Sequence, residues 1–248
     1  MKHAKWQILL GLALLALSAA IYFLHYLIFR DAHHIFLYLV GDIAFVFVEV
    51  LLVTLIIHGV LEAREKRGRL TKLNMVIGVF FSKMGTELLE ALAGWDPKVE
   101  ELHADMTARN GAQGPALSRM RRCLEKHAYG IAATNVDWEG LRARLVGNQD
   151  FLVSLLENPI LLEHETFTNL LWAVFHLAEE LDARKTFGDM PDSDRRHLVG
   201  DMNRVYGQLA LQWMAYMEHL SANYPYLFSL ALRMNPFDPG RSPVVSSS

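Results

Sequence analysis

Between Ile35 and Leu61 the chain runs almost without a polar side chain, and this stretch limits its possible folds more than any other feature. About 20 consecutive apolar residues suffice for one helical crossing of a bilayer, so the segment reads as a span. Two carboxylates interrupt it, Asp42 and Glu49, with Glu49 near the middle. An ionisable group at that depth costs several kcal/mol, on the order of 3 on insertion scales, and persists where it has a partner or a task. Seven residues separate the two, which places both on one helix face about 10 Å apart. That face is the first candidate site, either as assembly glue between helices or as an ion or proton path. His58, near the inner boundary, is expected to snorkel toward the headgroups.

A second apolar run, Ile8 to Phe29, precedes it behind Lys2 and Lys5. Ser18-Ala19-Ala20 is similar to a signal-peptide cleavage site. The apolar run nevertheless continues through Ile28, longer than the roughly 7–15 residues of a signal core, so an uncleaved span is expected. The link Arg30-Asp31-Ala32-His33-His34 is short and close to neutral, whereas Arg64, Lys66, Arg67, Arg69 and Lys72 follow the second run. Positive charge on the cytoplasmic side then predicts a hairpin in the plasma (inner) membrane with both termini cytoplasmic. The same five basic residues are positioned to touch anionic headgroups. In an antiparallel hairpin, depth matching alone brings Tyr22 of the first run toward Asp42.

The apolar excess is confined to the first 61 residues. Mean hydropathy over the chain is +0.16, high for a soluble protein and low for a many-span transporter. Net charge is -3 and the distal region has no dense basic stripe, so nucleic acid is not an expected partner. The single cysteine, Cys123, excludes an internal disulfide framework and any CxxC motif. Arg121, Arg122 and Lys126 flank it, but with no companion nucleophile signal a structural role is expected.

The pattern predicts an all-α chain in four parts: a membrane hairpin (1–61, spans 8–29 and 35–61), a juxtamembrane connector (62–97), a cytoplasmic helical bundle (98–234) and a disordered tail (235–248). The connector is amphipathic through Leu70, Leu73, Ile77, Phe80, Phe81, Met84, Leu88 and Leu92. Its apolar core is too short to span, which leaves three placements: on the inner leaflet, as a stalk, or packed on the bundle. Gly68, Gly78 and Gly85 weigh against a long rigid stalk. Helices are predicted near 98–108, 116–130, 136–157, 160–184, 193–222 and 226–234, with Thr134 or Asn135 as a cap. Asn, Pro, Gly and Ser dominate after residue 234 and predict disorder.

Motifs that carry chemistry are sparse. His164-Glu165 opens like a zinc-protease HExxH, but position 168 is Thr, so the second ligand is missing. Glu218-His219 is adjacent rather than spaced for a di-iron bundle. There is no phosphate-binding glycine loop and no nucleophile elbow, so no catalytic residue, metal or cofactor is assigned. His176 beside Glu179 and Glu180 is the one patch suited to proton transfer, although such stripes are commonly solvated helix faces. The run Tyr224-Pro225-Tyr226-Leu227-Phe228 is a docking surface if exposed. The expected partners are the lipid bilayer and either further copies of the chain or another membrane protein. The expected role is a non-enzymatic, membrane-anchored scaffold or regulatory subunit. The alternative is a homo-oligomeric cation or proton channel lined by Asp42 and Glu49.

Overall fold

A computed structural model describes residues 2–106, 114–161 and 164–245. The described residues form helices joined by loops, with no strand among them. It divides into two compact units, residues 1–66 and 67–248.

The first unit holds α1 (Lys2–Phe29) and the opening turns of α2 (Ala32–Phe80). The reversal between them takes two residues. Tyr26 closes α1 by accepting the Arg30 amide at 2.8 Å, and Arg30 itself adopts φ +50°. A non-glycine residue in that left-handed region costs roughly 1–2 kcal/mol. Burial is nearly absent: of the side chains described in this unit, only His25, Ile35 and Leu39 are even half-buried.

The second unit buries its apolar residues. Leu73, Ile77 and Phe80 recur at helical spacing on the last turns of α2 and enter the core. The chain continues through a single π turn, Phe81–Gly85, into α3 (Thr86–Gly94), which buries Leu88, Leu89 and Leu92. Gly85 is required there, since a Cβ would stand 2.6 Å from the Phe80 ring. Gly78 permits a comparable approach, its would-be Cβ lying 3.3 Å from the Tyr216 hydroxyl. The glycines thus allow close packing rather than breaking the helix, and α2 runs unbroken through Gly68 and Gly78. Residues 67–97 accordingly belong to the distal unit and pack into it from Leu73 onward, while Leu70 stays exposed.

The remaining elements are α4 (Glu100–Met106), α5 (Pro115–Lys126), α6 (Trp138–Val146), α7 (Gln149–Leu156), α8 (Glu165–Asp182), α9 (Asp192–Asn223) and α10 (Pro225–Arg233). The spine is α9, which buries Met202, Tyr206, Leu209, Trp213 and Met217 and packs against α3, α5, α8 and α10. Several boundaries differ from expectation for local reasons. The predicted helix 136–157 splits at Gly147-Asn148 into α6 and α7. Asp137, not Thr134 or Asn135, caps α6 by accepting the Gly140 amide at 2.9 Å. His164 caps α8, its Nδ1 accepting the Phe167 amide at 3.2 Å, which accounts for the HExxH-like opening.

The predicted disordered tail is the main correction. Phe237 is 1% exposed and its ring meets Trp213 at 5.7 Å. Asn235 donates to the Met106 carbonyl at 2.7 Å and accepts the Phe237 amide at 3.0 Å. Arg241 pairs with Glu90 on α3. One aromatic anchor and one buried amide order a segment whose average composition reads as unstructured. Residues 246–248 lie outside the described residues.

Candidate functional site

Three groups of side chains merit attention, and each lies within one unit. In the first unit, the Tyr22 hydroxyl donates to Asp42 Oδ2 at 3.4 Å, so the two residues expected to meet do meet. The contact is long for O–H···O. Glu49 lies two turns further along α2, exposed, with no polar partner among the described residues. His58 does not join this group. Its Nδ1 stands 3.5 Å from Glu62 Oε1, a neighbour one turn on, and both side chains are exposed. Arg64, Lys66, Arg67, Arg69 and Lys72 all lie exposed along α2.

The second group joins α8 to α9. His176 Nε2 stands 3.8 Å from Glu180 Oε1 and 3.7 Å from Asp201 Oδ2. His197 Nε2 stands 3.8 Å from Glu180 Oε2 and 3.5 Å from the same Asp201 oxygen. Asp201 is buried, and its other oxygen pairs with Arg204 at 3.0 Å, while Oδ2 makes no hydrogen bond. Glu180 is also held from the side by Arg184, which reaches Asp194 at the start of α9 at 2.6 Å. The hydrogen bond from Arg184 holds both the Glu180 and Asp194 carboxyls below the usual carboxylate range. The sequence singled out His176 with Glu179 or Glu180. The structure selects Glu180, leaves Glu179 exposed, and adds His197 and Asp201, whose i,i+4 spacing on α9 mirrors that of His176 and Glu180. Among the described residues no set of three or more His, Cys, Asp and Glu is arranged to hold a metal ion. The cluster fastens two helices and gains attraction when its imidazoles are protonated.

A third polar group is buried outright. His127 Nε2 and Asp96 Oδ2 stand 2.6 Å apart, with both side chains at most 2% exposed. Asp96 Oδ1 also accepts the Lys98 amide at 2.9 Å. Tyr129 and Tyr206 pack edge-on around the imidazole. Burial, reinforced by the Asp96 charge, pushes both phenols upward. The pair ties the bend after α3 to the end of α5. Trp95-Asp96-Pro97 reads in sequence only as a helix break, because nothing local marks Asp96 as paired with a residue 31 positions on.

The distal surface also carries an apolar groove of about 570 Å³ between α2, α9 and α10, lined among others by Met75, Val79, Tyr216, Leu220 and Leu227. The aromatic run beside it is partly exposed: Phe228 is buried, but Tyr226 is 71% exposed. Cys123 is half-buried against the core, in keeping with a structural thiol.

Comparison with known proteins follows the same division of the chain. Residues 1–61 match the model of the MJ1433 N-terminal helical domain, and residues 69–233 match that of the C-terminal helical domain of the uncharacterized protein MJ1433. The chain belongs to the MJ1433 family. Over 238 residues, 96% of each chain, it is 42% identical to the uncharacterized protein MJ1433 of Methanocaldococcus jannaschii. No solved structure matches it. The boundary between the two MJ1433 domains brackets the division at Lys66 and Arg67, and the acid–imidazole cluster and the groove both fall in the C-terminal domain.

Proposed function

We propose that this MJ1433 family member is a membrane-anchored, non-enzymatic scaffold or regulatory subunit of the plasma (inner) membrane. Its N-terminal hairpin inserts in the bilayer and both termini face the cytoplasm. The observation that carries this reading is the uncovered apolar surface of the first unit. The helices over Ile8–Phe29 and from Ile35 onward are long and apolar enough to cross a bilayer, and none of the most apolar window of either is buried by the chain. Exposed apolar surface on this scale requires lipid or another protein to cover it. The distal domain, which buries its own core, then serves as the cytoplasmic binding module.

In this reading the Asp42/Glu49 face is where spans associate. Tyr22 answers Asp42 within one chain, whereas Glu49 is left for a neighbouring helix. Replacing Glu49 with Leu removes that contact while preserving apolar length. The expected outcome is loss of the copurifying complex, read by native mass spectrometry of protein released from membranes, with the chain still resistant to alkaline carbonate extraction. Normal assembly of Glu49→Leu refutes the role of Glu49 as glue, and extraction of the wild-type chain by carbonate refutes anchoring. The spacing of Asp42 and Glu49 on one exposed face supports a second reading, stacked carboxylate rings in a cation-conducting homo-oligomer. Cation flux into liposomes that falls in Glu49→Gln supports it, and unchanged flux removes it.

A further inference from the structure

The groove in the distal domain has a lining that selects its occupant. Its walls are mostly apolar and aromatic, formed by Val79 on α2, Tyr216 and Leu220 on α9 and Leu227 at the start of α10, with Asn74, Ser82 and His219 as the uncharged polar side chains. Gly78 lowers the floor, since any side chain there meets the Tyr216 hydroxyl. No carboxylate lines the groove, and Lys83 supplies its one fixed charge. Lys83 lies in the π turn that follows α2, at the end of the groove, with its ammonium 4.2 Å from the centre of the Phe151 ring on α7. Lys72, seven residues before Val79, stands on the same edge of α2 as Val79. A volume near 570 Å³ lies within the range of small-molecule sites and is open along one side, as a chain-shaped ligand requires. One wall belongs to α2, whose earlier turns carry the apolar run from Ile35, so in the membrane-anchored reading the chain itself is supplied with lipid.

We propose that the groove is a binding site for an anionic membrane lipid, one acyl chain lying over Gly78 and the phosphate of the head group engaging Lys83. The assignment rests on the membrane-anchored reading for its supply of lipid. An apolar peptide helix gains nothing from Lys83, and an acidic one has no second cation in the lining to meet. A single negative head group on an apolar chain matches both the wall and the charge.

The test reconstitutes the full-length chain in liposomes of equal parts phosphatidylglycerol and phosphatidylcholine, washes them with alkaline carbonate, and measures retained lipid by native mass spectrometry after mild detergent release. One phosphatidylglycerol per chain is expected to persist. Val79→Trp, at a position 53% exposed and therefore tolerant of a larger side chain, is expected to lower that occupancy at least five-fold by filling the groove. Lys83→Glu is expected to abolish the preference for phosphatidylglycerol over phosphatidylcholine. Equal retention in Val79→Trp places the lipid on the hairpin and overturns the assignment. Wild-type retention without headgroup preference, or a groove occupied by a second copy, seen as a lipid-free dimer that Val79→Trp dissociates, overturns it too. Should the wild-type chain leave the liposomes in carbonate, the anchoring has failed independently. Phosphatidylglycerol added to the detergent-solubilised chain then still reads the groove by the same variants.

Discussion

The two units are built from similar apolar side chains and use them in opposite ways. Residues 67–245 bury Phe80, Phe167, Leu209 and Trp213 against one another, while Phe36, Phe45, Leu51 and Ile56 of the first unit lie bare. Polar groups divide along the same line. In the distal unit the buried Asp96 and His127 answer each other 2.6 Å apart. The hairpin leaves Glu49 unanswered and gives Asp42 one long contact. The distal unit covers its apolar side chains itself, whereas the first unit leaves apolar surface and a polar residue for its surroundings to complete, which is what the proposed insertion in lipid requires. Hydropathy alone does not draw this distinction; burial does.

The sharpest way to break the comparison is to damage the distal unit and ask whether the hairpin notices. His127→Ala strips the partner from a buried carboxylate and is expected to cost about 3–5 kcal/mol. Chemical denaturation of the full-length chain in detergent, followed by tryptophan fluorescence, measures it. Four of the five tryptophans, Trp95, Trp138, Trp172 and Trp213, report on the distal unit. Carbonate resistance is expected to be unchanged. Loss of both together shows that the units are not independent. Phe237→Ala comes next, at about 3 kcal/mol, the lower end for a buried aromatic. A variant indistinguishable from wild type in the same assay removes the claim that the terminal segment is part of the fold.

That terminal segment marks where the sequence stops being informative. The hairpin is legible because length and apolarity are local quantities, and α8 and α9 because their apolar residues recur every three to four positions. Phe237 is a single aromatic among turn-forming residues, and its partner Trp213 is a long way off in sequence, so no window contains the signal. The acid–imidazole cluster was half legible. His176 and Glu180 share one helix, and so do His197 and Asp201, but the loop from Ala183 to Pro191 that folds one pair onto the other carries no pattern that predicts the crossing. Gly78 and Gly85 were legible only as weights against a rigid stalk, not as packing positions. Propensity treats glycine as a helix breaker, whereas at Gly78 and Gly85 tertiary contact with aromatic rings decides.

A smaller effect is expected at the clamp between α8 and α9. Arg184 bridges Glu180 and Asp194 while only 19% exposed, and Arg184→Met is expected to cost about 1–2 kcal/mol at neutral pH, a network of charge-assisted bonds at the surface. Both carboxyls are held below their usual range in the folded chain, so the unfolded chain takes up protons first as pH falls. The clamp's contribution is therefore full above about pH 5 and drains away as pH drops through the depressed folded values. Denaturation midpoints measured from pH 7 to pH 3 should show the wild type losing its advantage over Arg184→Met across that acid limb. A constant gap down to pH 3 contradicts the assigned cause.

The smallest effect belongs to the hairpin. Tyr22→Phe deletes the hydroxyl that reaches Asp42 at 3.4 Å, and polar contacts between helices in membranes average about 0.6 kcal/mol, less when stretched. The expected cost is about 0.5 kcal/mol in an SDS titration of the full-length chain in mixed micelles, followed through spin labels on α1 and α2. The distal unit's counterpart is Tyr129, whose hydroxyl donates to the Leu124 carbonyl at 2.7 Å in a half-buried site. Tyr129→Phe should cost more, about 1–2 kcal/mol, because the carbonyl loses a short bond away from water. If Tyr22→Phe costs as much as Tyr129→Phe, the hairpin is held by its own internal polar contact, and Asp42 is no longer available to a neighbouring span. If it costs almost nothing, Asp42 and Glu49 stand alike as groups left for a neighbouring helix, as the proposed assembly requires.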